Sequence, residues 1–397
     1  MGFTISSKAK RFSFLLMAIG AIALIMGIIG CFTAKEAHDY QTRFWSNLMV
    51  NAFFFFTISV GALFFFAIQY AAEAGWSALL KRVFEATMSF LPIGALIILL
   101  IIIVGAVGGH GIWHWMDPHA MKHDEILQGK SPYLNIPFFL VRSLLYIAVF
   151  VGFGWWFRKK SLEEDRVGGT AIHWKNYRMS VVFIVLFAIL SAAMGWDWVM
   201  TVTPHWYSTL FGWYVLGGFW CTAIIVMTVL TLYLKKQGYL EQVNQNHIHD
   251  MGKWMFALSF LWTYLWFAQF LLYWYGNKPE PATYFVMRID HYTVPFWTMM
   301  VINFVLPMLF LMARDAKRNY KKLMTIGSIL IVTHWLDAFL LFMPGTVFQH
   351  WHLGFLEIGM ALGFLGLFIF LTLRRLSKAP LTPQQHPFLE ESIHLHT

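Results

Sequence analysis

A chain of 397 residues that is 58% hydrophobic and only 12% charged falls far below the roughly 25% charge of an ordinary soluble domain. Its mean hydropathy of +0.59 and its recurrent apolar runs exclude a soluble globular protein. The formal charge of +9 is no nucleic-acid footprint, because the cations collect in alternate connections between apolar runs.

A helix crossing a bilayer needs about 20 mostly apolar residues. Ten stretches qualify, near 12–33, 48–71, 86–108, 134–157, 179–202, 205–234, 252–275, 293–313, 322–343 and 353–374. The expected fold is an all-α polytopic membrane protein forming a single integral membrane domain over 1–397, with no soluble domain between spans.

Lys8, Lys10 and Arg11 precede the first run, and Ile28-Ile29-Gly30-Cys31 resembles a lipoprotein cleavage box. The run is long for a signal peptide, so a retained first span is expected. Spans one and two, over 12–71, are expected as peripheral helices. With the N-terminus inside, the inner connections hold Lys81 and Arg82, then Arg158, Lys159, Lys160, Arg166, Lys175 and Arg178. Lys235, Lys236, Lys253, Arg314, Lys317, Arg318, Lys321, Lys322, Arg374, Arg375 and Lys378 follow. The outer connections hold only Lys35, Arg43, Lys122, Lys130, Lys278 and Arg288. Such an excess of inner Lys and Arg orients membrane helices, so both termini are expected inside, with 375–397 as a cytoplasmic tail.

Two outer turns are tight and similar. Asp197 precedes Pro204 by seven residues, with His205-Trp206 next; Asp337 precedes Pro344 by seven, with His350-Trp351 beyond. Each proline is expected where one helix ends and the next begins, a place that tolerates its missing N–H. Gly212, Gly217 and Gly218 follow the first turn and Gly354, Gly359 and Gly363 the second; small residues allow close helix approach. This similarity predicts a duplication into two four-helix bundles, spans three to six (86–234) and spans seven to ten (252–374).

An ionisable group within the bilayer is a functional candidate by default. Asp197, Asp337, His334, Glu357 and Arg142 gather toward the outer leaflet with His205, while Glu85 lies at the inner end of span three. Carboxylate and imidazole are the groups a proton path or a quinone head group needs. The bland alternative is a brace, with Asp197 and Asp337 bonding Arg142, Trp indoles or turn backbone. Nine histidines face outside in this topology: His38, His110, His114, His119, His123, His205, His291, His350 and His352. His110 and His114 could share a helical face, but no partner completes a metal site, and none is expected. Haem needs axial ligands on facing spans, and only His334 is clearly intramembrane. Cys31 and Cys221 supply neither a cluster nor a disulfide framework. No cofactor ligand set is expected in this chain.

Gly195-Trp196-Asp197-Trp198, followed by Thr203-Pro204-His205-Trp206-Tyr207-Ser208-Thr209-Leu210-Phe211-Gly212, resembles a signature of one membrane subunit of bacterial alternative complex III. This is the ActF type, described as quinone-binding subunit 2. Tyr275-Gly276-Asn277-Lys278-Pro279-Glu280 is similar to an outer loop of the same subunit. The family is in turn similar to the NrfD and polysulfide-reductase membrane subunits. The resemblance implies a place in a quinol:cytochrome c oxidoreductase of the respiratory chain, in the bacterial cytoplasmic membrane among lipids. It implies a homologous larger membrane subunit, an iron–sulfur subunit, haem c subunits and a terminal oxidase as partners. Iron–sulfur clusters and haem c would lie in those partners, with quinone or menaquinone as the ligand in question here. The chain itself would contribute membrane assembly, a proton path or a quinone contact. A secondary transporter and a purely structural scaffold are the other readings that the residues leave open.

Overall fold

The computed structural model describes residues 2–34, 37–277 and 279–396. Two of the outer cations named above, Lys35 and Lys278, lie outside the described residues, as does the centre of the Tyr275–Glu280 motif. The chain is all-α, and among the described residues ten helices are long and apolar enough to cross a membrane: Ser7–Thr33, His38–Ala71, Gly75–Ala106, Ile136–Val167, Ala171–Val202, Phe211–Lys236, Gln245–Gly276, Thr293–Leu311, Tyr320–Thr346 and Phe355–Leu376. It is a multi-pass membrane protein. Each helix falls on a run expected from the sequence, and most extend past it at one end at least, because polar end turns add length that hydropathy does not register.

Span two is not peripheral. Its most apolar stretch is 94% buried, against 28% for span one. The reason is in its sequence: Phe53–Phe56 and Phe64–Phe66 put aromatic rings on every side, and a helix apolar all round belongs in a core. It packs against spans three, five, six and nine. Spans two to five form one four-helix bundle and spans six to nine a second, joined through the contact of spans two and six. The expected partition into spans three to six and seven to ten is therefore displaced by one helix. Span ten leaves the second bundle and pairs along its length with span one, lying against spans two and three. That pairing depends on bare backbone: a Cβ on Gly20 would come within 2.3 Å of the Gly363 Cα.

The two termini share one face of the array, where Gly2 bridges to Pro380 and Phe3 packs on Tyr239. The segment after span ten is folded onto this terminal face rather than trailing from it. The Ser392 hydroxyl donates to the Trp76 carbonyl at 2.8 Å, and the Asn244 and Asn246 amides donate to the Leu395 carbonyl at 2.9 and 3.0 Å. The opposite face carries the tight turns. Pro204 lies in the turn between spans five and six, as expected, but Pro344 stands inside span nine, in its last turns, and begins no helix.

Candidate functional site

Both bundles bury a carboxylate toward the face opposite the termini, but the two are held differently. In the first bundle span five opens into a π-helical turn over Gly195–Val199, a distortion that often marks a functional site. It holds Asp197, fully buried. Arg142 of span four donates to it through Nε at 2.6 Å and Nη2 at 3.1 Å. Tyr146, one turn further along span four, donates its hydroxyl at 2.6 Å. The remaining Arg142 nitrogen, Nη1, donates to the Tyr133 carbonyl at 3.1 Å, and the guanidinium lies over the Tyr133 and Phe138 rings at 3.9 and 4.2 Å. Every charge in this group has a partner of opposite sign or a ring.

In the second bundle Asp337 has no such partner. Its Oδ1 accepts from the Tyr214 hydroxyl and its Oδ2 from Trp262 Nε1 at 3.0 Å; both donors are neutral. Gly218 lies beside it, where a Cβ would stand in ordinary contact, 3.5 Å from Asp337 Oδ2. Among the described residues no Lys or Arg nitrogen forms an ion pair with it. The nearest guanidinium, that of Arg288, donates through Nε to the Leu340 carbonyl at 3.1 Å and through Nη1 to the Tyr284 carbonyl at 2.8 Å, while its Nη2 meets no hydrogen-bond partner among the described residues. Arg288 also stacks 3.4 Å from the Tyr284 ring centre. Burial pushes this guanidinium down from its ordinary range without approaching neutrality. Burial first, opposed by Arg288, pushes Tyr284 up to about 12, so its hydroxyl is a neutral group.

Asp337 lies between two small cavities. One, about 10 Å³ for water centres, is lined by Tyr214, Tyr284, Arg288 and Asp337 itself. The other, about 20 Å³, is lined by Asp337, His334, Thr57 and Thr222. Each is close to the space of a single water. His334 is buried, and neither of its ring nitrogens meets a hydrogen-bond partner among the described residues. It lies one turn deeper than Asp337, with its ring edge-on to Trp262 at 5.5 Å.

The other expected members are not brought here. Glu357 caps its own helix by accepting from the Gly354 amide at 2.9 Å and clasps span two through Arg43 at 2.6 Å and Asn47 at 3.1 Å. His205 is exposed and pairs with Asp124 at 2.5 Å, away from Asp197. Glu85 lies at the terminal face, where Arg82 at 2.7 Å, Arg158 and Ser161 saturate it. His110 and His114 share no helical face. His110 Nε2 bonds the Ile101 carbonyl at 2.8 Å and Nδ1 accepts from the Ile112 amide at 3.3 Å, whereas His114 begins a separate short turn.

The opposite face also carries larger openings. One, about 390 Å³, is an apolar groove beside Tyr133, Trp196, Met200, Trp206 and Tyr207. Another, about 720 Å³, is lined by His38, Arg43, His114 and His350 among others.

No family model matches the chain, and neither does any curated protein. The site must therefore be read from its own chemistry.

Sequence reasoning named Asp197, Asp337, His334 and Arg142 but missed Tyr146, Tyr214, Trp262 and Arg288. Tyr146 had a signal, standing one helical turn beyond Arg142 on the same face. Arg288 had none, since it belongs to the connection before span eight and reaches span nine only through the π-helical turn Met287–His291.

Proposed function

We propose that this chain is an integral membrane subunit of a quinol:cytochrome c oxidoreductase of the alternative complex III type, and that it conducts protons through its second bundle at Asp337. The observation that carries the proton assignment is the contrast between the two carboxylates. Asp197 is locked by a guanidinium and a phenol, the arrangement of a brace. Asp337 meets only neutral donors, touches a water-sized cavity on each side, and has an uncommitted imidazole one turn deeper. A buried carboxylate without a counter-ion is costly in hydrocarbon, and a brace is obtained more cheaply from hydroxyl or amide groups. Proton uptake gives such a group a purpose.

A proton entering from the cavity at Tyr284 and Arg288 reaches Asp337, crosses the second cavity on a water, and is taken by His334; the reverse direction uses the same groups. Tyr214 and Trp262 orient the carboxylate. The assignment to the complex rests on the Gly195–Gly212 and Tyr275–Glu280 resemblance, and it brings with it the partners named above. It also brings the bacterial cytoplasmic membrane, with both termini inside. Such a subunit needs no redox centre of its own. A quinone or menaquinone contact is best accommodated in the apolar groove at Tyr133, Trp196 and Trp206, whose volume falls in the range of small-molecule sites.

The reading is tested by solubilising the membrane gently, isolating the tagged chain, and recording its partners and haem spectrum. Iron–sulfur and multihaem c subunits are expected to come with it, and deletion of the chain is expected to abolish quinol:cytochrome c activity. Isolation free of haem-containing partners, with that activity intact in the deletion strain, would refute the reading.

A further inference from the structure

At the terminal face, three metal-ligating side chains from three elements meet. Glu164 comes from the end of span four, His173 from the start of span five, and His386 from the segment after span ten. Their ligand atoms all lie within 4.8 Å of one another. Glu164 and His173 are buried, and their free ligand atoms are unsatisfied: Glu164 Oε1 and both His173 ring nitrogens find no hydrogen-bond partner among the described residues. Buried polar atoms are nearly always paired, so Glu164 Oε1 and the His173 ring nitrogen beside it point to an absent partner.

We propose that Glu164, His173 and His386 form a binding site for one divalent transition-metal ion of the zinc class, completed when the C-terminal segment docks. Two imidazoles and one carboxylate make a donor set that suits zinc and its neighbours and not magnesium or calcium. The outer support is already arranged. Glu164 Oε2 accepts from the Tyr70 hydroxyl at 3.1 Å and from Lys81 Nζ, which turns Oε1 free toward His173 Nδ1, 3.8 Å away. In a tetrahedral zinc site with bonds of about 2.0–2.2 Å, neighbouring ligand atoms stand roughly 3.3–3.5 Å apart, so modest side-chain rotations close the set. An adjoining cavity of about 20 Å³ for water centres, lined by Tyr70, Lys81, His173 and His386, has room for a water as fourth ligand.

The third ligand is delivered by a strap held at both ends. The Gln384 amide donates to Asp165 at 3.2 Å, and Ser392 is bonded to Trp76 as described above. His386 Nδ1 takes a contact from the Phe388 amide at 3.2 Å, so ligation through Nε2 exchanges that contact for the metal bond. Lys81 opposes the ion by sharing its carboxylate. The other local charges, Arg82, Arg158, Glu85 and Asp165, are engaged with one another.

The test uses the full chain in detergent, stripped with a chelator and titrated with Zn²⁺ against a chromophoric competitor, with Co²⁺ absorption as a second readout. Wild type is expected to take up about one ion per chain at sub-micromolar concentration, with a tetrahedral cobalt spectrum. His173→Gln and His386→Gln should each weaken binding at least about 100-fold, and Tyr70→Phe about 10–100-fold as an outer partner of Glu164. Lys81→Met should tighten binding about tenfold by removing the competing charge. His394→Gln, an exposed histidine on the same segment, should change nothing. If His173→Gln fails to fold, His386→Gln decides, because its side chain lies on the docked segment outside the bundles. Absence of zinc uptake by wild type at micromolar concentration would overturn the proposal, as would full affinity in His386→Gln.

Discussion

Replacing Asp197 by asparagine removes the one anion among the described residues that pairs with Arg142, while leaving an oxygen of similar shape in place. Arg142 is 8% exposed, and breaking a buried ion pair from one side costs about 3–5 kcal/mol because the other charge stays behind. Asparagine keeps one acceptor, and Arg142 keeps the Tyr133 carbonyl and two rings. The loss should therefore fall near the lower end, about 3 kcal/mol. Arg142→Met leaves the carboxylate with neutral phenol partners and no counter-ion and should cost about 3–5 kcal/mol. In Arg142→Met combined with Asp197→Leu no charge is stranded, and apolar replacement of a buried pair is often close to neutral, so about 0–2 kcal/mol is expected. The coupling between the two sites is then several kcal/mol. Denaturant titration in mixed micelles, followed by the fluorescence of the 19 tryptophans, measures all four corners of the cycle. Additive losses would refute the brace.

Three further outcomes follow from the packing. Glu357→Gln should cost about 1–3 kcal/mol by weakening the clasp to Arg43 and leave turnover of the assembled complex unchanged; a selective loss of turnover would return Glu357 to the proton path. Gly20→Leu should part spans one and ten at the Gly363 contact and destabilise by about 3 kcal/mol, read as faster proteolysis of the first span. Burial, despite its bonds to backbone, pushes His110 below its ordinary value. The unfolded chain then binds the proton more readily, so the stability that neutral His110 gives is present above about pH 6.5 and falls away as the pH drops below it. The melting-temperature gap between wild type and His110→Asn should accordingly narrow on acidification, and a gap that widens in acid contradicts the assignment.

The ten spans were legible because each is a long apolar run, a property of consecutive residues. Which spans touch was less legible, because hydropathy does not record neighbours. The matching Asp–Pro spacing singled out spans five and nine, each the last helix of its bundle, but the expected bundles began one helix too late. The aromatic cover on all sides of span two was the available clue to its central place. At the site, Arg142 and Asp197 were named as a conceivable pair, and their separation in the chain gave no indication that Asp337 would lack an equivalent cation. Glu164, His173 and His386 had no readable spacing at all, since the last is carried in by the folded tail.

The central claim is that Asp337, unlike Asp197, passes protons, and it is tested most directly by proton release per electron in vesicles holding the assembled complex. Asp337→Asn should preserve subunit composition and haem content while lowering proton release at least about tenfold, the scale of losing a positioned proton-transfer group. Unchanged turnover together with unchanged proton release in Asp337→Asn would contradict the account.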